Sequence, residues 1–165
     1  MTREQKLSMI SAIESSYSFV DELVEGFSRE ALLYIPPIRD AWSINDFLVH
    51  FLDADISLAF RVRMAMAESG SAVPVWDENA WHDSLHYDEM DGLDCLSQAK
   101  SIRRYVSSGL RLAVDADWSS FAIEHPVKGR MDLADILSLY ERHVVFHLPL
   151  IRRNVKTYRD NGARL

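Results

Sequence analysis

Six histidines carry the strongest chemical signal in this sequence: His50, His82, His86, His125, His143 and His147. Two pairs, His82/His86 and His143/His147, stand four residues apart. On a helix that spacing is about one turn, so both rings of a pair leave one face and can share a metal ion. The setting separates the two pairs. With His143 at the origin of a helical wheel, His147 lies about 40° away, and Ile136, Leu139, Tyr140, Phe146 and Leu150 fall within about 60°. Ser138, Glu141 and Arg152 fall on the opposite side. The His143/His147 pair therefore points where the apolar side chains point. Two buried imidazoles need either a shared ion or separate hydrogen-bond partners, because an unpartnered polar group is costly to bury. His82/His86 sits among acids in DENAWHDSLHYDEMDG and reads as a solvated loop pair.

A third nitrogen must come from another element, and His50 stands alone in a second helical pattern. Asp46, Asp53, Ser57 and Arg61 share its side of the wheel, while Leu48, Val49, Phe51, Leu52, Ile56, Leu58, Phe60 and Val62 cover the rest. Periodicity alone turns such a narrow polar stripe toward water. It could instead line an internal site facing His143 and His147. Other catalytic signatures are missing. There is no HExxH, no Gly-rich phosphate loop and no GxSxG elbow. Cys95 reads as a small core residue. Trp42, Trp76, Trp81 and Trp118 lie near helix ends or in connections, with Trp76 and Trp81 placed to cover a pocket.

Four long helical patterns must position these groups. Thr2 and Gln5 have capping-box spacing ahead of a pattern running to about residue 27. A short segment covers residues 28–34, before Pro36-Pro37 blocks further helix. Ser43, with Asp46 three residues on, caps the second long helix, which ends near residue 68 before Gly70. Residues 70–90 form a polar connection long enough to be a crossover or a lid. The third helix spans about 91–116, with Leu93, Leu96, Ile102, Tyr105/Val106 and Leu110 as its core side. Residues 117–131 read as irregular, with no convincing strand. Asp132 caps the last helix, which reaches at least residue 148. Pro149 then kinks it or starts a new turn, and the polar tail is expected to fray. The expected architecture is all-α: a single four-helix bundle over residues 1–165, with its long connection between the second and third helices.

Composition limits the partners. Of 165 residues, 48% are hydrophobic and 26% charged, and 18 Lys+Arg against 25 Asp+Glu give a net charge of −7. An acidic chain lacks the basic face that a nucleic acid requires. One cysteine excludes an internal disulfide and a multi-cysteine metal site. No apolar run reaches the length of a bilayer span, and the N-terminus has no cleavable signal pattern. The expectation is a soluble cytoplasmic protein, with no nucleic-acid or membrane partner and the option of a homodimer.

The ordered motifs resemble the DinB-like superfamily, and within it the YfiT-type branch. Trp42-Ser43 followed by His50 in WSINDFLVHFLDAD is similar to its second-helix motif. Asp53, Arg61 and Arg63 fall where that branch carries an aspartate and basic residues. VWDENAW (75–81) is similar to its aromatic-Asp-Glu-x-x-Trp segment, and HPVKGRMDLADILSLYERHVVFH (125–147) resembles its His-Pro-x-x-Gly and Tyr-x-x-His-x-x-x-His ending. These segments span about residues 40–151. Phe146, Leu150 and Asp55 replace histidines often found in the branch. The resemblance implies a four-helix bundle with His50, His143 and His147 as ligands of one divalent ion, nickel or zinc first. It implies a small-molecule substrate, and either metal-dependent hydrolysis or transfer of a low-molecular-weight thiol. Asp53, Arg61 and Tyr140 are the candidate helpers: Asp53 to orient His50 or accept a proton, Arg61 to hold an anionic group, Tyr140 to donate into the pocket. The alternative is a stress-associated binding bundle without turnover, whose metal site is structural or vestigial.

Overall fold

A computed structural model describes residues 1–161 of the chain. Local signals start two of its helices. Thr2 and Gln5 close a reciprocal capping box ahead of α1 (Arg3–Ser15), and Ser43 and Asp46 close another ahead of α4 (Ile44–Ala67). Between them lie α2 (Ser18–Val24) and α3 (Arg29–Leu33), the latter capped by the Ser28 hydroxyl. The single first helix expected to residue 27 is thus broken at Ser16–Tyr17. The break has a tertiary cause: the Ser16 hydroxyl takes a hydrogen bond from Arg103, and the Tyr17 hydroxyl donates to Asp55 at 2.9 Å.

After α4 come a two-residue strand β1 (Ser71–Ala72), a short α5 (Glu78–Ser84) and α6 (Gly92–Leu112). A 3-10 turn (Trp118–Ser120) leads into the hairpin β2 (Ala122–His125) and β3 (Gly129–Asp132). α7 (Leu133–Asn161) closes the described chain and continues past Pro149 as one helix. The fraying expected of the tail lies, for residues 162–165, outside the described residues.

The bundle consists of α1 with α2, α4, α6 and α7. α4 packs most extensively on α6 and then on α7, while α1 packs on both α6 and α7. The all-helical expectation needs one correction: residues 117–131 are not irregular. β2 and β3 pair antiparallel, and β1 joins β2 in parallel to make a three-stranded sheet. Strands of two to four residues are too short to show an alternating pattern. Ile123, Met131 and Val73 instead join the core around Leu58, Val62 and Ile136.

Two corrections concern helix faces. In α6 the buried side is Cys95, Leu96, Ala99, Arg103, Val106 and Leu110, while Leu93 and Tyr105 are exposed. In α7, Phe146 is 71% exposed. Asn45, fully buried, ties the end of the 70–90 connection to α4: its amide donates to the Tyr87 carbonyl at 2.8 Å and accepts from Gly92 N at 3.0 Å. A Cβ on Gly92 would stand 2.7 Å from Asn45 Oδ1, so the close approach requires glycine.

Candidate metal centre

The polar stripe of α4 faces inward, not toward water. Asp46, His50 and Arg61 are buried, with His50 at 0% exposure. The reason is α7, whose His143/His147 face packs opposite. His50 Nε2 lies 2.9 Å from His143 Nε2, and His147 Nε2 lies 3.1 Å from His143 Nε2. All three ligand atoms fall within 4.8 Å of one another. The structure thus brings together the three histidines singled out from the sequence.

Three nitrogens meeting head-on cannot satisfy each other. Each neutral ring offers at Nε2 either one proton or one lone pair. The single valence at His143 Nε2 cannot serve both neighbours. A cation accepts all three lone pairs at once. Nitrogens 2.9 and 3.1 Å apart are close enough that one ion could reach them at the usual imidazole–metal distance of about 2.0–2.1 Å. The Nδ1 atoms of all three rings are buried without a hydrogen-bond partner among the described residues. Ring orientation therefore rests on packing: His50 against Trp42 and Trp76, with centroids 5.3 and 5.5 Å away, and His147 against Phe47 and Phe146 at 5.4 and 5.1 Å.

Burial holds the rings neutral. Desolvation lowers the His50 pKa to about 3, the neighbouring His147 and His82 adding to the effect. Desolvation, then His50, His147 and Arg103, take His143 to about 2, and desolvation takes His147 to about 4. Neutral imidazole is the metal-binding form. The shifts have a stability consequence in chelator-stripped protein. These rings resist protonation when folded but accept it near pH 6.5 when unfolded, so the stability they contribute is complete above pH 6.5 and is lost as pH falls toward their folded values. Melting of stripped protein should drop between about pH 7 and about pH 5, and drop less in a His143→Ala/His147→Ala variant. Parallel pH profiles for the two proteins would refute this.

The other candidates are placed as follows. Asp53 does not orient His50; its half-buried carboxylate accepts a hydrogen bond from the Tyr87 hydroxyl, and burial raises its pKa ahead of that bond's lowering effect. Arg61 donates to the Tyr140 hydroxyl at 3.0 Å and to the Pro74 carbonyl at 3.3 Å. The Tyr140 hydroxyl in turn donates to Ser57 at 3.1 Å. Arg63 is exposed. His86 is exposed, at φ 51°, beyond the end of α5. His82 stacks on Trp42 at 4.6 Å and lies 3.5 Å from Asp46, outside the histidine cluster. Cys95 is buried, and desolvation pushes its thiol up to about 11, which makes it inert at neutral pH.

The 70–90 connection covers the site. Trp76 packs on His50 and, at 4.6 Å, on Trp81. It also delivers a residue not anticipated as part of the site, Glu78. Its carboxylate lies 3.9 Å from His50 Nε2, at the first position of α5 after the Asp77 cap. Glu78 stood inside the VWDENAW segment, but only the return of the chain over α4 reveals its neighbour. It borders two open clefts. One, of about 300 Å³, is lined by Trp42, Phe47, His147 and Leu150; the other, of about 190 Å³, by Arg61, Trp76, His125 and His143. The cluster is thus buried yet reachable from two sides.

No family model matches the sequence, and no curated protein matches it. Among solved structures, the fold is similar to that of YfiT from Bacillus subtilis, described as a probable metal-dependent hydrolase with an unusual four-helix bundle topology. The match has a TM-score of 0.82 and covers 98% of this chain and 90% of that one, at 22% sequence identity. No described helix is long and apolar enough to cross a membrane. By its helix order, its packing and this likeness, the chain has the four-helix bundle fold of YfiT.

Proposed function

We propose that this protein is a divalent-metal-dependent enzyme that uses His50, His143 and His147 to activate a water or a low-molecular-weight thiol, as a hydrolase or a thiol transferase, with nickel or zinc as the ion. The observation that carries this reading is the convergence of three Nε2 atoms, on the buried His50 and His147 and the half-buried His143, beside open clefts. The description of YfiT as a probable metal-dependent hydrolase supports the same class. Held by His50, His143 and His147, all neutral ligands, a divalent ion would keep its charge and would supply Lewis acidity for a water or thiol.

The chain's own groups supply the rest. Glu78, next to His50 Nε2 on the cleft side, takes the proton released at that face. Trp76 and Trp81 exclude bulk water from above. Arg61 and Tyr140 polarise the neighbouring cleft. Phe146 and Leu150 do not close the site: Phe146 is largely exposed, and both border the cleft that reaches His147. That access favours turnover over a purely structural ion.

The test is to assay zinc- and nickel-loaded protein for ester hydrolysis and for thiol conjugation. His50→Ala should abolish whichever activity is found. Glu78→Gln should lower kcat about 100-fold or more with metal content unchanged. Activity that survives His50→Ala would assign the chemistry elsewhere.

A further inference from the structure

Arg103 and Arg61 are the two buried arginines of the described chain, and their surroundings differ. Arg103, at 0% exposure, is matched by Asp55 through paired hydrogen bonds at 2.7 and 2.8 Å. Arg61, at 6%, has no carboxylate within 4.0 Å among the described residues. Two of its five N–H donors go to the Tyr140 hydroxyl and the Pro74 carbonyl, both neutral, and its Nε is buried without a partner. A buried guanidinium with no counter-charge is expensive unless an anion arrives to meet it.

The place where an anion can arrive is the 190 Å³ cleft. Its walls are Ala54, Val75, Trp76 and Leu139, and its polar lining is Arg61, Tyr140, His125, His143 and Glu78. His125 is oriented for the same task. Its Nδ1 accepts hydrogen bonds from Val127 N and Lys128 N, both at 3.2 Å, across the β2–β3 turn. An Nδ1 used as acceptor leaves the ring proton on Nε2, so the neutral ring is a fixed donor. Burial, followed by the Arg61 and Lys128 charges, lowers its pKa and keeps it in that neutral form. Tyr140, which binds Arg61, sits three residues before His143, about 4.5 Å of helix rise.

We infer that Arg61 and the His125 Nε2–H form a carboxylate-binding end of the cleft beside His143, and that the substrate is a small carboxylate with an apolar or aromatic body. The site rests on the proposed function only in naming what is bound for reaction; its anion recognition needs no metal. Glu78, which lines the same cleft with its carboxylate 3.9 Å from His50 Nε2, repels a carboxylate placed at the histidine end and so sets the orientation.

Titration calorimetry with benzoate and its neutral analogue benzamide, on zinc-loaded and on chelator-stripped protein, tests this. Benzoate should bind at least about 10-fold more tightly than benzamide in both forms. Arg61→Met should weaken benzoate about 10–100-fold, and Arg61→Lys less. His125→Asn keeps an oxygen to cap the turn but removes the Nε2–H, and should weaken benzoate several-fold with zinc content unchanged. Equal affinity for the two probes, full benzoate affinity in Arg61→Met, or binding that vanishes on stripping the zinc would each overturn the inference. Because the stripped protein is measured separately, failure of zinc to bind at all leaves the benzoate result readable.

Discussion

Untagged protein is expected to carry about one divalent ion per chain, and the His143→Ala/His147→Ala variant to carry none above background. The expectation follows from ligand count. Three neutral Nε2 atoms from α4 and α7 form the cluster, and the double variant leaves a single imidazole, too few to hold an ion. Removing the ion should also destabilise the fold, because a ligand bound only by the native state stabilises it by mass action. At an ion concentration about 1,000 times its dissociation constant, the effect is about 4 kcal/mol, or roughly 10 °C in Tm for a domain of this size. Elemental analysis and melting before and after chelation measure both. Equal loading in wild type and double variant would remove these histidines from the site. An unchanged Tm after confirmed loss of metal would show that the ion does not staple α4 to α7.

Asp55→Ala is expected to be the most damaging single substitution outside the site. Asp55 and Arg103 are both fully buried, and the carboxylate also accepts from the Tyr17 hydroxyl. The guanidinium lies 4.1 Å over the Tyr17 ring. Truncating Asp55 leaves a buried cation with no counter-charge, a loss of about 3–5 kcal/mol, a large fraction of the stability of an ordinary domain. Replacing both partners, as in Asp55→Leu/Arg103→Met, should recover much of that loss, because apolar side chains of similar volume need no counter-charge. Urea unfolding of the two variants measures the difference. A single variant within 1 kcal/mol of wild type, on the order of ordinary surface changes, would mean that water reaches Arg103.

How much of this was readable in the chain depends on the range of each interaction. The Thr2/Gln5 and Ser43/Asp46 capping boxes each act within three residues, so their presence in the sequence was enough to place the starts of α1 and α4. The His143/His147 pair was readable for the same reason, its geometry being a property of one helical turn. The direction of His50 was not. A wheel shows that its stripe is polar but not whether water or another helix stands opposite. The break between α1 and α2 was also hidden, since it follows from Arg103 and Asp55, distant in sequence from Ser16 and Tyr17. Glu78 and His125 escaped as site residues because each reaches the centre on a chain return, α5 over α4 and the β2–β3 turn beside Arg61.

By itself, then, the sequence determined the four long helical stretches, the capping boxes of α1 and α4, the shared face of His143 and His147 and the acidic net charge, all consequences of composition and local periodicity. Only the tertiary structure decided which polar groups would be shut away from water together. Burial and counter-charge belong to pairs of segments, not to either one. That is why one buried arginine found a carboxylate in Asp55, while the other was left facing a cleft beside three unprotonated imidazoles.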